Sequence, residues 1–323
     1  MQREQRAHRL FPTRTPRTAA VLAALGVSVA ASAVGLAGCE NTLFSGTPIP
    51  LEEGDIAPEK VDLEEAQADN GNRFVKPEFA DTFKIVEDTT GLETARMFFT
   101  GADSRSLIIT DPTDAAQLRG ATLAISQHVP MVVALPDTRA DILKLAGDLN
   151  VKRIVTIGDV DLAAGRSEDY TVIRDPGTDA ALGTMTAFEY SQHEVARPED
   201  MVKAATDLNP NSRTELTAAW ERLPTNTDPK ARMDTAIPAQ SRRDAQMAPV
   251  IIAAPRSPFV SVVNARAYGA DVRLMHSPDP RETANSAAMV AGLADGPLIA
   301  LGEEFGSEEE LRKRIADIGT KEG

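Results

Sequence analysis

The pattern of apolar and polar residues changes twice along the first 80 residues, at about residues 18 and 39. An uncharged run from Thr18 to Gly38 is about long enough to span a bilayer or to serve as an export signal. Residues 40 to about 80 are rich in acidic residues and proline, with little apolar periodicity, and predict a disordered tether. From Phe83 onward, short apolar runs alternate with segments of helical spacing, which predicts a folded body.

The apolar runs of this body predict buried strands, and the segments between them predict helices. The predicted strands are 106–110, 131–135, 153–157, 171–173, 250–254, 271–275 and 297–301, and the predicted helices are 115–127, 139–149, 261–268, 280–293 and 307–318. Short strands without polar alternation, separated by helices, are typical of a parallel sheet covered on both faces. The fold class predicted is therefore α/β.

The middle of the chain interrupts this rhythm. Residues 179–223 are polar and predict helices, and 224–249 are rich in Pro, Asp and Arg, as in a long loop. A repeated order of elements relates 124–149 to 290–318, which fits either a duplication or ordinary βα succession. The expected organisation is a signal peptide (1–38), a flexible tether (39–80), an α/β unit (81–178), a helical insertion and linker (179–248) and a second α/β unit (249–323). Whether the two α/β units share one sheet stays open.

Cys39 is the only cysteine of the chain and directly follows Leu36-Ala37-Gly38. Five arginines precede the uncharged run, and together these features resemble a bacterial lipoprotein signal with its lipobox. The resemblance implies acylation of the Cys39 sulfur, palmitate being a typical chain, and anchoring in the cell membrane on the extracytoplasmic face. An uncleaved signal anchor is the alternative, and it also leaves the chain tethered outside. A lone cysteine excludes an internal disulfide.

Charge narrows the range of partners. Removing residues 1–38 takes away five of the 34 basic residues and one of the 48 acidic ones, which leaves 29 against 47, a net charge of −18. An acidic body of this kind is a poor match for nucleic acid, and an anionic ligand would need a local basic patch. Aromatic residues make up only 4% of the chain, which argues against a platform that stacks on carbohydrate.

Residues 91–162 resemble one unit of the cell wall-binding repeat type 2 family. The resemblance rests on Gly91-Leu92-Glu93-Thr94-Ala95, the strand 106–110, Val129-Pro130-Met131-Val132-Val133 and the stretch 151–158. Gly91-Leu92 and Gly158-Asp159 depart from the family pattern, which has an Arg-aromatic pair and Gly-Gly there. The resemblance implies a Rossmann-like fold in a protein of the Gram-positive cell envelope. Members bind anionic wall polymers, usually with three units together, so the implied second partner is a cell-wall polymer.

Polar residues follow each predicted strand, where crevices open in parallel α/β sheets. If the sheet is parallel, these residues gather at one rim and form a candidate ligand site, although Asp and Ser also stand there as caps and turns. The candidates are Asp111, Asp137, Asp159, Arg256, Asp279, Arg281 and Glu303. The two arginines are the expected contacts for an anionic group.

Catalytic motifs are missing from the sequence. His128 is interpreted as a helix-end residue and His193 as part of a charged helix, while His276 directly follows a predicted strand. No histidine spacing indicates a metal site, and no phosphate-binding loop or nucleophile elbow is present. The expectation is a non-enzymatic binding or scaffolding lipoprotein without cofactor. The alternatives are a solute-binding lipoprotein of a transporter, and a wall-modifying hydrolase that uses Asp111, Asp279 and Glu303.

Overall fold

The computed structural model describes residues 61–100, 105–163, 165–226, 236–237 and 247–320, all of which belong to one compact unit. This part of the chain is an α/β protein with nine α-helices and eleven strands. The helices are α1 Leu63–Gly71, α2 Leu92–Phe99, α3 Asp114–Gln127, α4 Arg139–Asp148, α5 Asp179–Thr186, α6 Met201–Asp207, α7 Phe259–Tyr268, α8 Ala284–Val290 and α9 Glu308–Ala316. The strands are β1 Phe83–Val86, β2 Ser106–Thr110, β3 Met131–Val133, β4 Arg153–Ile157, β5 Gly165–Arg166, β6 Thr171–Arg174, β7 Ser191–Val195, β8 Thr214–Ala218, β9 Val250–Ala253, β10 Val272–Leu274 and β11 Leu298–Leu301.

These strands form two larger sheets and one small one. The first sheet has the order β3-β2-β4-β6-β5, in which only β5 is antiparallel to its neighbour. The second sheet has the order β1-β11-β9-β10 and is parallel throughout. The third sheet pairs β7 with β8 in parallel. Strands β2, β3, β9 and β11 are buried along their whole length, as in sheets covered on both faces, and the predicted Rossmann-like α/β class is confirmed.

All seven predicted strands and all five predicted helices are present, with small changes at their ends. The largest change concerns α8, which occupies only the middle of the predicted 280–293. Thr283 has extended backbone and its side chain accepts a hydrogen bond from the Ser286 N–H, so it caps the helix and fixes its start. Arg281 belongs to a turn before this cap, because its N–H donates to the side chain of Asp279.

The folded body begins earlier than the predicted tether allowed. Helix α1 starts after Asp62, whose carboxylate accepts from the N–H groups of Glu64 and Glu65. Asn70 is buried and donates to two backbone carbonyls at the end of α8. Residues 62–80 are therefore corrected to structured chain. Asn70, a polar residue, is the only buried residue of α1, so the apolar periodicity of this segment was too weak to predict a helix.

The middle segment was predicted to be entirely helical, and this is wrong for its two strands. β7 reads Ser-Gln-His-Glu-Val, and its first four residues are exposed, so it shows none of the apolar alternation by which strands are recognised. It is held by main-chain pairing with β8, which in turn packs on α3. The Leu216 N–H in β8 donates to the buried hydroxyl of Thr122 in α3. His193 and Glu194 therefore lie in a strand and not in a charged helix.

A buried ion cluster fixes this middle segment to the first sheet. Arg119 of α3 is 3% exposed, and its Nε donates to Asp175 at 2.9 Å, while its other nitrogens contact Glu215 of β8 and the carbonyl of Thr178. Burial opposes the charge of Arg119, but the two carboxylates Asp175 and Glu215 raise its pKa above its usual range. Removing the guanidinium alone would leave two carboxylates buried without their partner, which should strongly destabilise this packing.

Helix α7 lies against both larger sheets, because it contacts β3 of the first and β10 of the second. It also packs against α2 and α3, and its buried Asn264 bonds to β3 and to the start of α2. The Asn264 side chain accepts from the Met131 N–H at 2.8 Å and donates to the Met131 carbonyl, the Gly91 carbonyl and the Thr94 hydroxyl. Gly91 has a φ of +81°, and a Cβ there would lie 2.6 Å from the Met131 carbonyl oxygen. Only glycine permits this approach.

Sheet membership does not follow chain order. Strand β1 lies within the first predicted α/β unit, 81–178, yet it pairs with β11 of the C-terminal segment. The sequence left open whether the two α/β units share a sheet, and the structure shows two sheets with β1 exchanged to the second. The boundaries of the predicted units stay a prediction in other respects.

Candidate functional site

An open pocket of about 560 Å³ lies at the carboxyl ends of three adjacent strands of the second sheet, β1, β11 and β9. We call it the strand-end pocket. Its volume falls within the range of about 300–1,000 Å³ that is usual for small-ligand sites. The residues that line it are Glu87, Thr89, Arg256, Pro258, Glu303 and Glu304. The position agrees with the rule that ligands of parallel α/β sheets bind beyond the carboxyl ends of strands.

Hydrogen bonds within and between the turns after β1, β9 and β11 fix the positions of the pocket walls. The buried carboxylate of Asp88 accepts from Thr90, Gly91 and Thr94, so the turn after β1 is fixed to the start of α2. The Ser257 hydroxyl, also buried, accepts from the Ala254 N–H at 2.8 Å and donates to Glu304 Oε1 at 2.9 Å. These contacts join the turn after β9 to the turn after β11 and thereby fix the spacing of the pocket walls.

Gly302 permits the close fold of the turn after β11. Its φ is +122°, which disfavours any residue with a side chain, and a Cβ would lie 2.1 Å from the Glu304 carboxylate. Glu304 is thus folded back over the glycine towards Ser257 and is partly buried. Glu303, one residue earlier, remains exposed at the pocket wall.

Three charged side chains of the pocket have no bonded partner in the part of the chain that the structure describes. Glu87, Arg256 and Glu303 are all exposed, and no described hydrogen bond or ion pair reaches their charged groups. A guanidinium and two carboxylates therefore face one open space with their bonding capacity free. Such groups can bind opposite charges of a ligand without first breaking an internal ion pair.

Two of the seven predicted site residues, Arg256 and Glu303, line this pocket. Asp279 and Arg281 follow β10 of the same sheet but are engaged with each other. Arg281 donates to Asp279 through Nε at 2.9 Å and through a terminal nitrogen at 2.7 Å, and it also lies 3.7 Å from Asp317. The side-chain bond from Arg281 lowers the pKa of Asp279 from 3.8 to about 2. This pair forms an internal salt bridge outside the pocket.

The other three predicted residues lie at the end of the first sheet, which corrects the expectation of a single rim. Asp111 is buried, and its carboxylate accepts from the Thr113 N–H, the Thr113 hydroxyl and the Asp159 N–H at 2.9, 2.5 and 2.7 Å. A Cβ at Gly158 would lie 2.1 Å from this carboxylate. Asp111 is thus a turn-stabilising residue. Asp137 and Asp159 are exposed beside it, outside the strand-end pocket.

This division between two sheets separates the residues proposed for hydrolysis. Asp111 ends a strand of the first sheet, while Asp279 and Glu303 follow strands of the second. Asp111 is occupied by three hydrogen bonds and Asp279 by Arg281. These three carboxylates do not form one paired-carboxylate site.

The sequence-based candidates did not include Glu87, Thr89, Pro258 and Glu304, and of these four lining residues Glu87 is the one with a free charge. It follows β1, a strand of four residues with two half-buried positions, so no continuous apolar run indicated it. The only signal available was Asp88-Thr89-Thr90-Gly91, a turn sequence between apolar segments, and its resemblance to the turn Asp111-Pro112-Thr113 after β2.

A second groove of about 570 Å³ lies between α6 and the third sheet. His193 of β7 and the ion pair between Lys203 and Asp207 line it, together with Leu208 and Leu216. Lys203 and Asp207 neutralise each other along α6, with the carboxylate raising the pKa of the lysine. The groove therefore offers fewer free charges than the strand-end pocket.

The described ranges show neither a metal-binding cluster nor a membrane-spanning helix. These residues contain no group of three or more His, Cys, Asp or Glu side chains placed to hold a metal ion. Every helix among them is too short or too polar to cross a bilayer. Cys39 and the predicted signal lie outside the described residues.

Comparison with known proteins adds a distant likeness in fold. No family model matches the chain, and no curated protein matches it. Among solved structures it is similar to Cwp6 from Clostridium difficile, a cell wall protein, with 13% sequence identity and a TM-score of 0.40. The match covers 70% of this chain and 46% of that one, so the chain spans less than half of its length. A likeness of this size carries no argument about a ligand or an activity, and the resemblance of 91–162 to the wall-binding repeat stays a prediction.

Proposed function

We propose that this protein is a lipid-anchored, extracytoplasmic component of the cell envelope that binds a wall-associated ligand in the strand-end pocket without catalysing its conversion. The observation that carries the binding role is the free guanidinium of Arg256 in a pocket of ligand size. The anchoring role rests on the position of Cys39 after Leu36-Ala37-Gly38. Both parts go together because an acylated anchor keeps the pocket close to the envelope.

The pocket lining supports binding more than catalysis. Its ionisable groups are three glutamates and one arginine, and histidine and cysteine are missing from the lining residues. Thr89 provides the hydroxyl among the lining residues, and no described hydrogen bond joins it to a base. The neighbouring Ser257 is 4% exposed, and its oxygen already accepts one hydrogen bond while its proton is donated to Glu304. A serine nucleophile needs an adjacent base and access to the substrate, and burial denies Ser257 that access.

A wall-retention assay tests the proposal. The full chain should sediment with purified cell-wall fractions, and Arg256→Ala should lower the retained fraction at least several-fold, because a guanidinium supplies a charge-assisted, two-pronged contact. Arg281→Ala is a matched comparison, since its guanidinium is already bound to Asp279. We expect that variant to be retained like the parent chain.

Equal retention of the parent chain and Arg256→Ala would contradict the assignment of the site. Failure of the parent chain to bind any wall fraction would contradict the binding function itself. The melting temperature of Arg256→Ala should match that of the parent chain, because Arg256 makes no bond within the described structure. Arg281→Ala should lower the melting temperature only slightly, because its pair with Asp279 is partly exposed to solvent.

A further inference from the structure

The charges of the strand-end pocket have both signs, and this restricts the ligand. Arg256 stands among Glu87, Glu303 and Glu304, so the pocket lining has a formal charge of −2. A simple anion would gain from Arg256 but would meet two free carboxylates. A simple cation would gain from the carboxylates but would meet the guanidinium. Neither matches the pocket as well as a ligand that carries one group of each sign.

We infer that the strand-end pocket recognises a zwitterionic ligand of the amino-acid or short-peptide class, whose carboxylate binds Arg256 and whose ammonium binds Glu87 and Glu303. This inference rests on the proposed function and specifies the chemistry of its site. The planar guanidinium has donors spaced to bind a carboxylate in a bidentate manner. An ammonium has three N–H donors, which suits two exposed carboxylates that lack any other described partner.

The turns on both sides keep these opposite charges apart. Arg256 follows β9, while Glu87 and Glu303 follow β1 and β11. No ion pair within 4.0 Å joins Arg256 to a carboxylate in the described part of the chain, although three glutamates share its pocket. Glu304, the remaining glutamate, accepts a hydrogen bond from Ser257 at 2.9 Å and thereby holds the turn after β11 against the turn after β9. The pocket thus presents separated charges, as an amino acid or peptide with separate termini does.

Binding of three matched probes to the full chain in detergent tests this inference. Glycylglycine carries both charges, N-acetylglycylglycine only the carboxylate and glycylglycinamide only the ammonium. Isothermal titration or NMR titration should give a dissociation constant for glycylglycine about tenfold lower than for either singly charged probe, since each removes one charge-assisted contact. Comparable binding of one singly charged probe would overturn the inference, and so would the absence of binding by glycylglycine.

Variants assign the two ends of the ligand. Arg256→Ala should weaken glycylglycine binding about tenfold and leave glycylglycinamide unchanged. The double variant Glu87→Gln with Glu303→Gln should remove the preference for glycylglycine over N-acetylglycylglycine. Arg139→Ala is the control, because it removes an exposed arginine at the start of α4, next to the first sheet. We expect its binding to be unchanged. If these variants affect both singly charged probes alike, the assignment of the ends is wrong.

The outcome for the inference can be separated from that for the proposed function. Wall retention that depends on Arg256, without selective binding of glycylglycine, would leave the function and overturn the ligand class. Selective binding of glycylglycine without any wall retention would leave the ligand class and overturn the envelope role.

Discussion

Residues of one type at equivalent positions have different roles in this protein. Asp111 and Glu303 are both acidic residues just after buried parallel strands, and both were predicted on that ground to belong to the site. Asp111 is saturated by three hydrogen bonds inside its own turns, whereas Glu303 faces a pocket with a free carboxylate. Periodicity could predict where the strands end. It could not predict whether a carboxylate there is already hydrogen-bonded, because Asp111 is bonded in part by the N–H of Asp159, 48 residues away.

The salt bridge of Asp279 gives a testable pH dependence. Its pKa of about 2 in the folded chain is below the ordinary 3.8, chiefly because Arg281 donates to the carboxylate. A lowered pKa in the folded state means that this pair stabilises the protein above pH 3.8 and that the contribution is lost as the pH falls towards 2. In an NMR titration, Arg281→Ala should return the Asp279 pKa towards 3.8.

Arg139→Ala is the matched control for this titration, because Arg139 pairs with Asp161 and not with Asp279. It should leave the Asp279 titration unchanged. An Asp279 pKa that stays near 2 in Arg281→Ala would show that another group stabilises the ionised carboxylate.

Among the elements, those that are apolar throughout were predictable and those held by polar contacts were not. β2 and β9 are continuous apolar runs and were found within one residue. β7 shows no apolar pattern and depends on pairing with β8, while α1 depends on Asn70 and its backbone contacts to α8. Such elements form because distant segments supply their hydrogen-bond partners, and the local sequence pattern contains no information about those segments.

Charge insertion into the buried strands β3 and β4 should unfold the protein, although β3 lies at the edge of its sheet and not at the centre as its apolar sequence predicted. Ile154 of β4 and Val132 of β3 are 0% exposed in the hydrophobic core. Ile154→Asp or Val132→Asp should abolish the cooperative melting transition seen by circular dichroism, since an unpaired buried charge costs several kcal/mol against a total stability of about 5–15 kcal/mol. Ile154→Val is the control and should cost only about 0.5–1.5 kcal/mol. A native transition in either Asp variant would contradict the burial of that strand.

For the whole molecule, the sequence predicted the layered α/β class but not the distribution of strands between sheets. Local periodicity identifies a strand, whereas its neighbours depend on long-range packing such as the four hydrogen bonds of Asn264. The predicted single rim failed for this reason, because it assumed that successive strands belong to one sheet. Arg256 and Glu303 follow the carboxyl ends of β9 and β11, a placement that needed only one strand each, and their role as ligand contacts stays a prediction.

Cys39 determines where the whole molecule resides in the proposed function. Cys39→Ala should shift the protein from the membrane fraction and cause the unprocessed precursor to accumulate, since acyl chains supply about 0.8 kcal/mol per buried methylene. Fractionation with immunoblotting measures both effects. Ser45→Ala, a nearby substitution outside the predicted lipobox, is the control. Unchanged membrane association and unchanged processing of Cys39→Ala would contradict lipidation.

Because β11 lies between β1 and β9, the strand-end pocket can form only after β11 has been synthesised. β11 lies between β1 and β9, and the pocket takes residues from the turns after all three strands. A chain truncated before residue 298 would lose the only described strand partner of β1 and could not bring Glu87 beside Arg256. The first strand of the folded body must therefore wait until more than 200 further residues have been synthesised before it can pair. In the proposed function, shortened translation products would lack the complete pocket and would not bind the ligand.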